Sequence, residues 1–110
     1  MSAPDLGDIL KQAQQMQSRM SELQRQLATR RFEAASGGGM VTAVVSGELR
    51  VLEIRIEPGL VAGGDRGMLE DLTASAVNAA LALAQRGVQE EFQKLQGSLG
   101  LNLPGLAGPR

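Results

Sequence analysis

Residues 6–27 carry an apolar stripe that constrains the fold of this chain more than any other feature. Its members are Leu6, Ile9, Ala13, Met16, Met20, Leu23 and Leu27. Steps of three and four residues alternate between them, which is the a/d heptad pattern of a helix packed along another helix. The stripe predicts a coiled-coil helix over residues 5–30, and its members after Leu6 are the predicted residues of helix or dimer packing. At ~1.5 Å per residue the helix is about 40 Å long, so much of it should project.

Three β-rich segments follow, over residues 31–36, 40–46 and 49–57. The first shows a weak period of two, and the second is rich in β-branched residues. In the third the alternation is imperfect, because Arg50 falls on the same side as Leu52, Ile54 and Ile56, opposite Leu49, Val51, Glu53 and Arg55. The glycines at 37–39 indicate a turn, because they precede a strand and not the helix N-terminus that a phosphate loop needs. The sequence thus predicts a two- to three-stranded antiparallel sheet.

A second long helix is predicted over residues 67–96, after a loop at 61–67. Its alanine-rich face favours close packing on a sheet or on a partner, and Gly87 marks a bend or a crossing point. Residues 98–110 form a tail rich in glycine, proline and leucine. The expected fold is therefore α+β, with one domain over residues 1–97.

A small sheet that is covered on one face leaves its other face and an edge unprotected. Two copies of the chain would protect both by pairing. We therefore expect a homodimer with twofold symmetry, in which the sheets form the body and the helices project as paired arms.

The charge of the chain is unevenly distributed, although its net value is only −1. Residues 9–31 contain five basic side chains and one acidic side chain, and the remainder is net negative. A basic rod of this kind indicates a surface for a polyanion, while solvated coiled-coil flanks often have the same composition.

The residue types present argue against catalysis. Cysteine and histidine are absent, which removes thiolate metal sites and the commonest acid/base group at neutral pH. The adjacent acidic pairs at 70–71 and 90–91 do not converge on a helix, so we expect no catalytic site, metal, cofactor or small-molecule substrate. No signal peptide or membrane-length apolar run is present, so a cytoplasmic protein without membrane contact is expected.

Several short motifs together resemble the YbaB/EbfC family of nucleoid-associated proteins. They are KQAQQMQ at 11–17, GGGMV at 37–41, Gly47, IEP at 56–58, MLEDL at 68–72, NAA at 78–80 and LPGL at 103–106. Each motif alone is weak, but together they span nearly the whole chain in the family's order and spacing. The resemblance implies a small bacterial DNA-binding homodimer with tweezer-like helical arms, located at the nucleoid in the cytoplasm.

The resemblance also implies which residues contact DNA, since the arms of such proteins are implicated in that contact. Carried onto this chain, the DNA-binding residues are Lys11, Arg19, Arg25, Arg30, Arg31, Arg86 and Lys94. Thr42 stands where the family commonly has lysine, Glu57 stands where it has aspartate, and the end of the second helix retains only Lys94 beside Glu90 and Glu91. The departures at position 42 and in the second helix remove positive charge, so they bear on the strength of DNA binding and not on the fold.

Two functions follow from these observations. The first is low-specificity duplex binding through the basic arms, with an influence on gene expression or nucleoid organisation. The alternative is a protein-interaction scaffold linked to DNA replication or recombination, in which DNA binding is weak or absent. The acidic sequence pI of about 5.4 favours the alternative.

Overall fold

The computed structural model describes residues 5–98. The elements are α1 (Leu6–Thr29), β1 (Arg31–Ser36), β2 (Val41–Ser46), β3 (Val51–Ile56), α2 (Pro58–Ala62) and α3 (Arg66–Ser98). The predicted α+β architecture, with a long helix at each end of a three-stranded antiparallel sheet, is confirmed. The division into a domain over residues 1–97 and a tail from 98 stays a prediction, because residues 99–110 lie outside the described part.

Helix α1 projects from the rest of the molecule. Asp5 caps it by accepting a hydrogen bond of 2.8 Å from the amide of Asp8, which satisfies one of the unpaired N–H groups of the first turn. Only the last two members of the apolar stripe, Leu23 and Leu27, are buried, whereas Leu6 is 71% exposed and Ile9 is 50% exposed. The described molecule is accordingly elongated, with extents of 75 × 32 × 15 Å.

A hydrogen-bonded joint at Gly47 attaches the end of α1 to the sheet. The amide of Gly47, directly after β2, donates to the carbonyl oxygens of Leu27 at 3.0 Å and of Arg30 at 3.2 Å. A Cβ atom at position 47 would lie 2.3 Å from the Leu27 oxygen, a distance that no side chain tolerates. Glycine at this position is therefore what allows α1 to meet the hairpin so closely.

The sheet has the order β1-β2-β3, with β2 in the centre. Three successive glycines with φ of 60°, 67° and 101° connect β1 to β2, a backbone path that other residues rarely adopt. A bulge in the β2–β3 ladder sets Val45 opposite Val51 but Val44 opposite Glu53. The predicted grouping of Val51 with Glu53 and Arg55 is wrong at this point, because the extra residue, Leu52, returns Val51 to the side of Val45.

Helix α3 covers one face of the sheet through small residues. Ala76, Ala80 and Ala84 recur every four residues and are completely buried against the cluster that includes Val41, Ala43 and Val45. Their small side chains let the helix backbone come close to the strands. At one end of this contact the hydroxyl of Ser36 donates to the Leu72 carbonyl oxygen at 2.6 Å.

Gly87 is the crossing point of α3 over β1. A Cβ atom there would lie 2.4 Å from Cε1 of Phe32, whose ring is buried in the core. Helix α3 continues through Gly87 to Ser98, and the sequence-based alternative of a bend at this residue stays a prediction.

The short helix α2 replaces part of the loop that the sequence predicts. Pro58 occupies its first turn, where a missing N–H group removes no helical hydrogen bond. Leu60 is buried and covers one end of the core. Within residues 5–98, no helix has both the length and the apolar character needed to cross a bilayer.

The second face of the sheet is polar. Arg55 on β3 pairs with Glu33 on β1 at 2.8 Å and with its neighbour Glu53 at 3.5 Å, so its side chain crosses the central strand. Val44, which lies between Glu33 and Glu53 in the register, is 4% exposed. Side chains of the same chain therefore cover this face. The exposed apolar surface of the sheet lies instead at β3.

Candidate nucleic-acid interface

Two free cations lie on the polar side of α1. Lys11 and Arg19 are exposed, and neither forms an ion pair with any residue in the described range. Gln14, Gln15 and Ser18 lie beside them on the same helix surface. Eight residues separate the two charges, which is about 12 Å along a helix axis. The helix thus presents two available cations on a hydrophilic surface.

Arg25, on the same helix, is engaged by Glu22. Its Nε donates to Oε1 of Glu22 at 3.2 Å, and the other carboxylate oxygen accepts from the second arm of the guanidinium group. This hydrogen bond lowers the pKa of the Glu22 carboxyl, with a smaller contribution from the Arg25 charge. Arg25 would have to leave Glu22 to contact another anion.

Arg30 and Lys94 converge on a single acid. Nη1 of Arg30 and Nζ of Lys94 each lie 3.3 Å from Oε2 of Glu91. The Arg30 guanidinium also lies over the Phe32 ring, 4.8 Å from its centroid, in a cation–π contact. Arg30 directly follows α1, so these two contacts connect the end of that helix to β1 and α3. Arg30 therefore holds these elements of the fold together.

A second pair of free cations borders a cleft between β1 and α3. Arg31 and Arg86 both line this cleft, and Phe32, Gly87 and Glu90 contribute to its walls. The close crossing of Gly87 over Phe32 explains the arrangement, since it brings the neighbouring residues Arg86 and Arg31 to the same side. Neither arginine forms an ion pair with another described residue.

The seven predicted DNA-binding residues therefore fall into two classes. Lys11, Arg19, Arg31 and Arg86 are free, whereas Arg25, Arg30 and Lys94 are paired with acids. The sequence offered a signal for two of these pairings, since an acid lies three residues before Arg25 and before Lys94. No such signal exists for Arg30 and Glu91, which are 61 residues apart.

Sequence reasoning did not single out Arg50, a further free cation. It is exposed at the end of the β2–β3 hairpin and has no ion pair within the described range. The signal available in the sequence was that Arg50 falls on the apolar side of the alternating pattern of the third β-rich segment. Within residues 5–98 no group of three or more acidic side chains is placed to hold a metal ion, and the cations named above are all exposed.

These charges lie on a chain whose sequence matches a family model over residues 1–99, that of the YbaB/EbfC DNA-binding family. The chain belongs to the YbaB/EbfC family. The predicted resemblance is thus confirmed, and the family is one of nucleoid-associated DNA-binding proteins.

Individual YbaB/EbfC relatives match nearly the full chain. A nucleoid-associated protein of Clostridium acetobutylicum is 42% identical over 106 residues, which cover 96% of this chain and 93% of the relative. Another, from Thermoanaerobacter pseudethanolicus, is 42% identical over 102 residues, which cover 93% of this chain and 90% of the relative.

The YbaB/EbfC fold of this chain also resembles a solved structure. An uncharacterized protein from Helicobacter pylori superposes with a TM-score of 0.65 at 21% identity. The match covers 88% of this chain and 98% of that protein. At this identity the likeness bears on the fold alone, and it supports the arrangement of helices and sheet described above.

Proposed function

We propose that this protein is a nucleoid-associated protein that binds duplex DNA with low sequence specificity through the basic helical arms of a homodimer. Its location is then the nucleoid in the cytoplasm, where it influences gene expression or nucleoid organisation. The observation that carries the proposal is the set of four free cations, Lys11, Arg19, Arg31 and Arg86, on an elongated molecule. Membership of a DNA-binding family and the names of the relatives support it.

The low specificity follows from the residue types available. The only aromatic residues are Phe32 and Phe92, and Phe32 is buried, so bases have no stacking platform at this surface. Lysine and arginine on a rod reach phosphates, whose contacts position a protein but read little sequence. The release of counterions from the duplex would then provide most of the affinity.

The spacing of the free cations suits a duplex. Lys11 and Arg19 are about 12 Å apart along the helix axis, which is close to the width of the major groove of B-DNA. Side chains at this spacing can contact phosphates on the two sides of one groove. Arg31 and Arg86 would add contacts near the base of the arm, so that each protomer engages the backbone at two places.

The experiment that tests this proposal is a fluorescence-anisotropy titration of an unrelated duplex at several salt concentrations. We expect binding that weakens steeply with salt, with a log–log slope of about 0.9 per phosphate contact, and little difference between duplexes of different sequence. An absence of binding at low salt would overturn the proposal and favour the protein-interaction scaffold.

The surface for the homodimer lies at strand β3. This strand is at the edge of the sheet, so one row of its backbone groups has no strand partner among residues 5–98. Leu49, Val51 and Leu52 at the same end are 42%, 48% and 47% exposed. A second copy that pairs along β3 would satisfy the edge and bury this apolar group, which leaves the α1 helices free to project as arms.

Replacing Leu52 by lysine is expected to convert the dimer to a monomer, because an unpaired charge would be buried at the interface. Light scattering coupled to size-exclusion chromatography measures the mass directly. The matched control is Val61→Lys, since Val61 is 57% exposed on α2, at the other end of β3. A dimer that persists in the Leu52 variant but dissociates in the control would contradict this interface.

A further inference from the structure

No described residue packs over the N-terminal half of the apolar stripe on α1. Leu6 and Ile9 are 71% and 50% exposed, and Ala13 is exposed as well. The main contacts of α1 with the sheet are made with β2, and the buried residues of the helix, Leu23 and Leu27, lie towards its C-terminal end. Apolar side chains in heptad spacing over several turns are unfavourable in water, so a partner for this half of the stripe is expected.

The far end of α3 approaches this uncovered half. Glu91 is paired with Arg30, just beyond the end of α1. A crevice between the two helices is lined by residues from earlier in α1, such as Arg19 and Leu23, and from later in α3, such as Leu95. The two helices therefore run in opposite directions, and α3 ends at Ser98 while pointing towards the N-terminus of α1.

The segment that follows Ser98 has the length and composition to continue along α1. Residues 99–110 extend to about 40 Å, whereas the distance along the helix from residue 20 to residue 6 is about 21 Å. Leu99, Leu101 and Leu103 alternate with Gly100 and Asn102, so an extended backbone places the leucines on one side. Pro104 disfavours continuation of the helix, and the segment contains no acidic residue.

We propose that residues 99–106 dock in extended form on the N-terminal half of the α1 stripe of the same chain. Leu99, Leu101 and Leu103 cover Met16, Ala13 and Ile9, and Leu106 reaches the region of Leu6. The short connection at Ser98 gives the segment an effective concentration in the millimolar range, which favours docking within the chain over capture of a second copy. This inference goes beyond the proposed function, because it requires neither DNA nor the dimer.

A disulfide test is direct because the chain contains no cysteine. The full-length variant Ile9→Cys/Leu103→Cys is oxidised at low protein concentration and analysed on a non-reducing gel and by mass spectrometry. The control is Gln14→Cys/Leu103→Cys, since Gln14 is exposed and lies about 140° around the helix from Ile9. We expect the internal disulfide to form at least about tenfold faster in the first variant, because only there do the Cβ atoms reach bonding distance.

Equal rates in the two variants would overturn the proposal, and so would a covalent dimer, since that result would assign the stripe to a second copy.

Amide hydrogen exchange gives an independent readout. In the full-length variant Leu101→Asn/Leu103→Asn we expect exchange within residues 9–16 to be faster by roughly tenfold or more, because the loss of one buried leucine already corresponds to that factor. Asn102→Ser, between the two leucines, is the control and should leave exchange unchanged. Unchanged protection of α1 in the leucine variant would overturn the proposal, while retained protection of β2 would show that the fold is intact.

Discussion

Replacing Gly87 by alanine is expected to destabilise the protein by about 1–3 kcal/mol, although alanine is the better helix former by about 1 kcal/mol. The added Cβ would lie 2.4 Å from Cε1 and 2.8 Å from Cζ of Phe32. This ring is 6% exposed and packed in the core, so either the ring or the helix must move. Thermal denaturation followed by circular dichroism measures the effect, and 1 kcal/mol corresponds to about 4–8 °C for a small domain.

Gly97→Ala is the matched control in the same helix. A Cβ atom at position 97 would meet nothing within 4 Å, so the substitution should leave the melting temperature unchanged or raise it. Both variants are compared at one protein concentration, because the proposed dimerisation would make melting temperatures concentration-dependent. A Gly87 variant as stable as the parent would show that α3 does not depend on this close crossing.

Replacing Lys11 and Arg19 together by glutamine is expected to weaken duplex binding by about 100-fold at low salt. This value takes the low end of the ~1.5–3 kcal/mol that a hydrogen bond to a charged group contributes, for two contacts. The log–log salt slope should fall by about one unit for each phosphate contact removed, and the loss should be similar for all duplex sequences. Anisotropy titrations at several salt concentrations measure both quantities.

The double variant Arg55→Gln/Arg66→Gln is the control for net charge. It removes the same number of charges, but from residues that pair with Glu33, Glu53 and Glu70 on other surfaces. Equal losses in the two variants would show that overall charge and not the α1 surface determines binding. The corresponding variant Arg31→Gln/Arg86→Gln separates the two proposed contact regions, and its normal binding would restrict the interface to α1.

Local sequence patterns were sufficient for the long elements of the fold. The heptad spacing and the absence of helix breakers identify α1, and β-branched alternation identifies the sheet. Helix α2 was missed because five residues that include Gly59 are too short to show a helical period, and Pro58 suggested only the end of a strand. The bulge at Val44 and Val45 was also missed, because one inserted residue looks the same in sequence as imperfect alternation.

The candidate interface was harder to predict than the fold. Sequence reasoning found the basic residues but treated their charges as equivalent. Their availability depends on tertiary contacts, and Arg30 meets Glu91 only because α3 folds back beside the end of α1. The proximity of Arg31 and Arg86 likewise depends on the crossing of Gly87 over Phe32, which the sequence marks only as a glycine within a helix.

Because α1 is attached to the sheet near Gly47, a small rotation at this end moves the far end of the helix by a large distance. The helix has 24 residues, or about 36 Å of length, and it is held at one end through the carbonyl oxygens of Leu27 and Arg30. A rotation of about 10° at this joint would displace the far end by about 6 Å, given that length. Small changes in the angle at Gly47 would therefore become large displacements of the far end of α1. In the proposed homodimer they would change the gap between the two arms, and with it the width of the ligand that the arms could enclose.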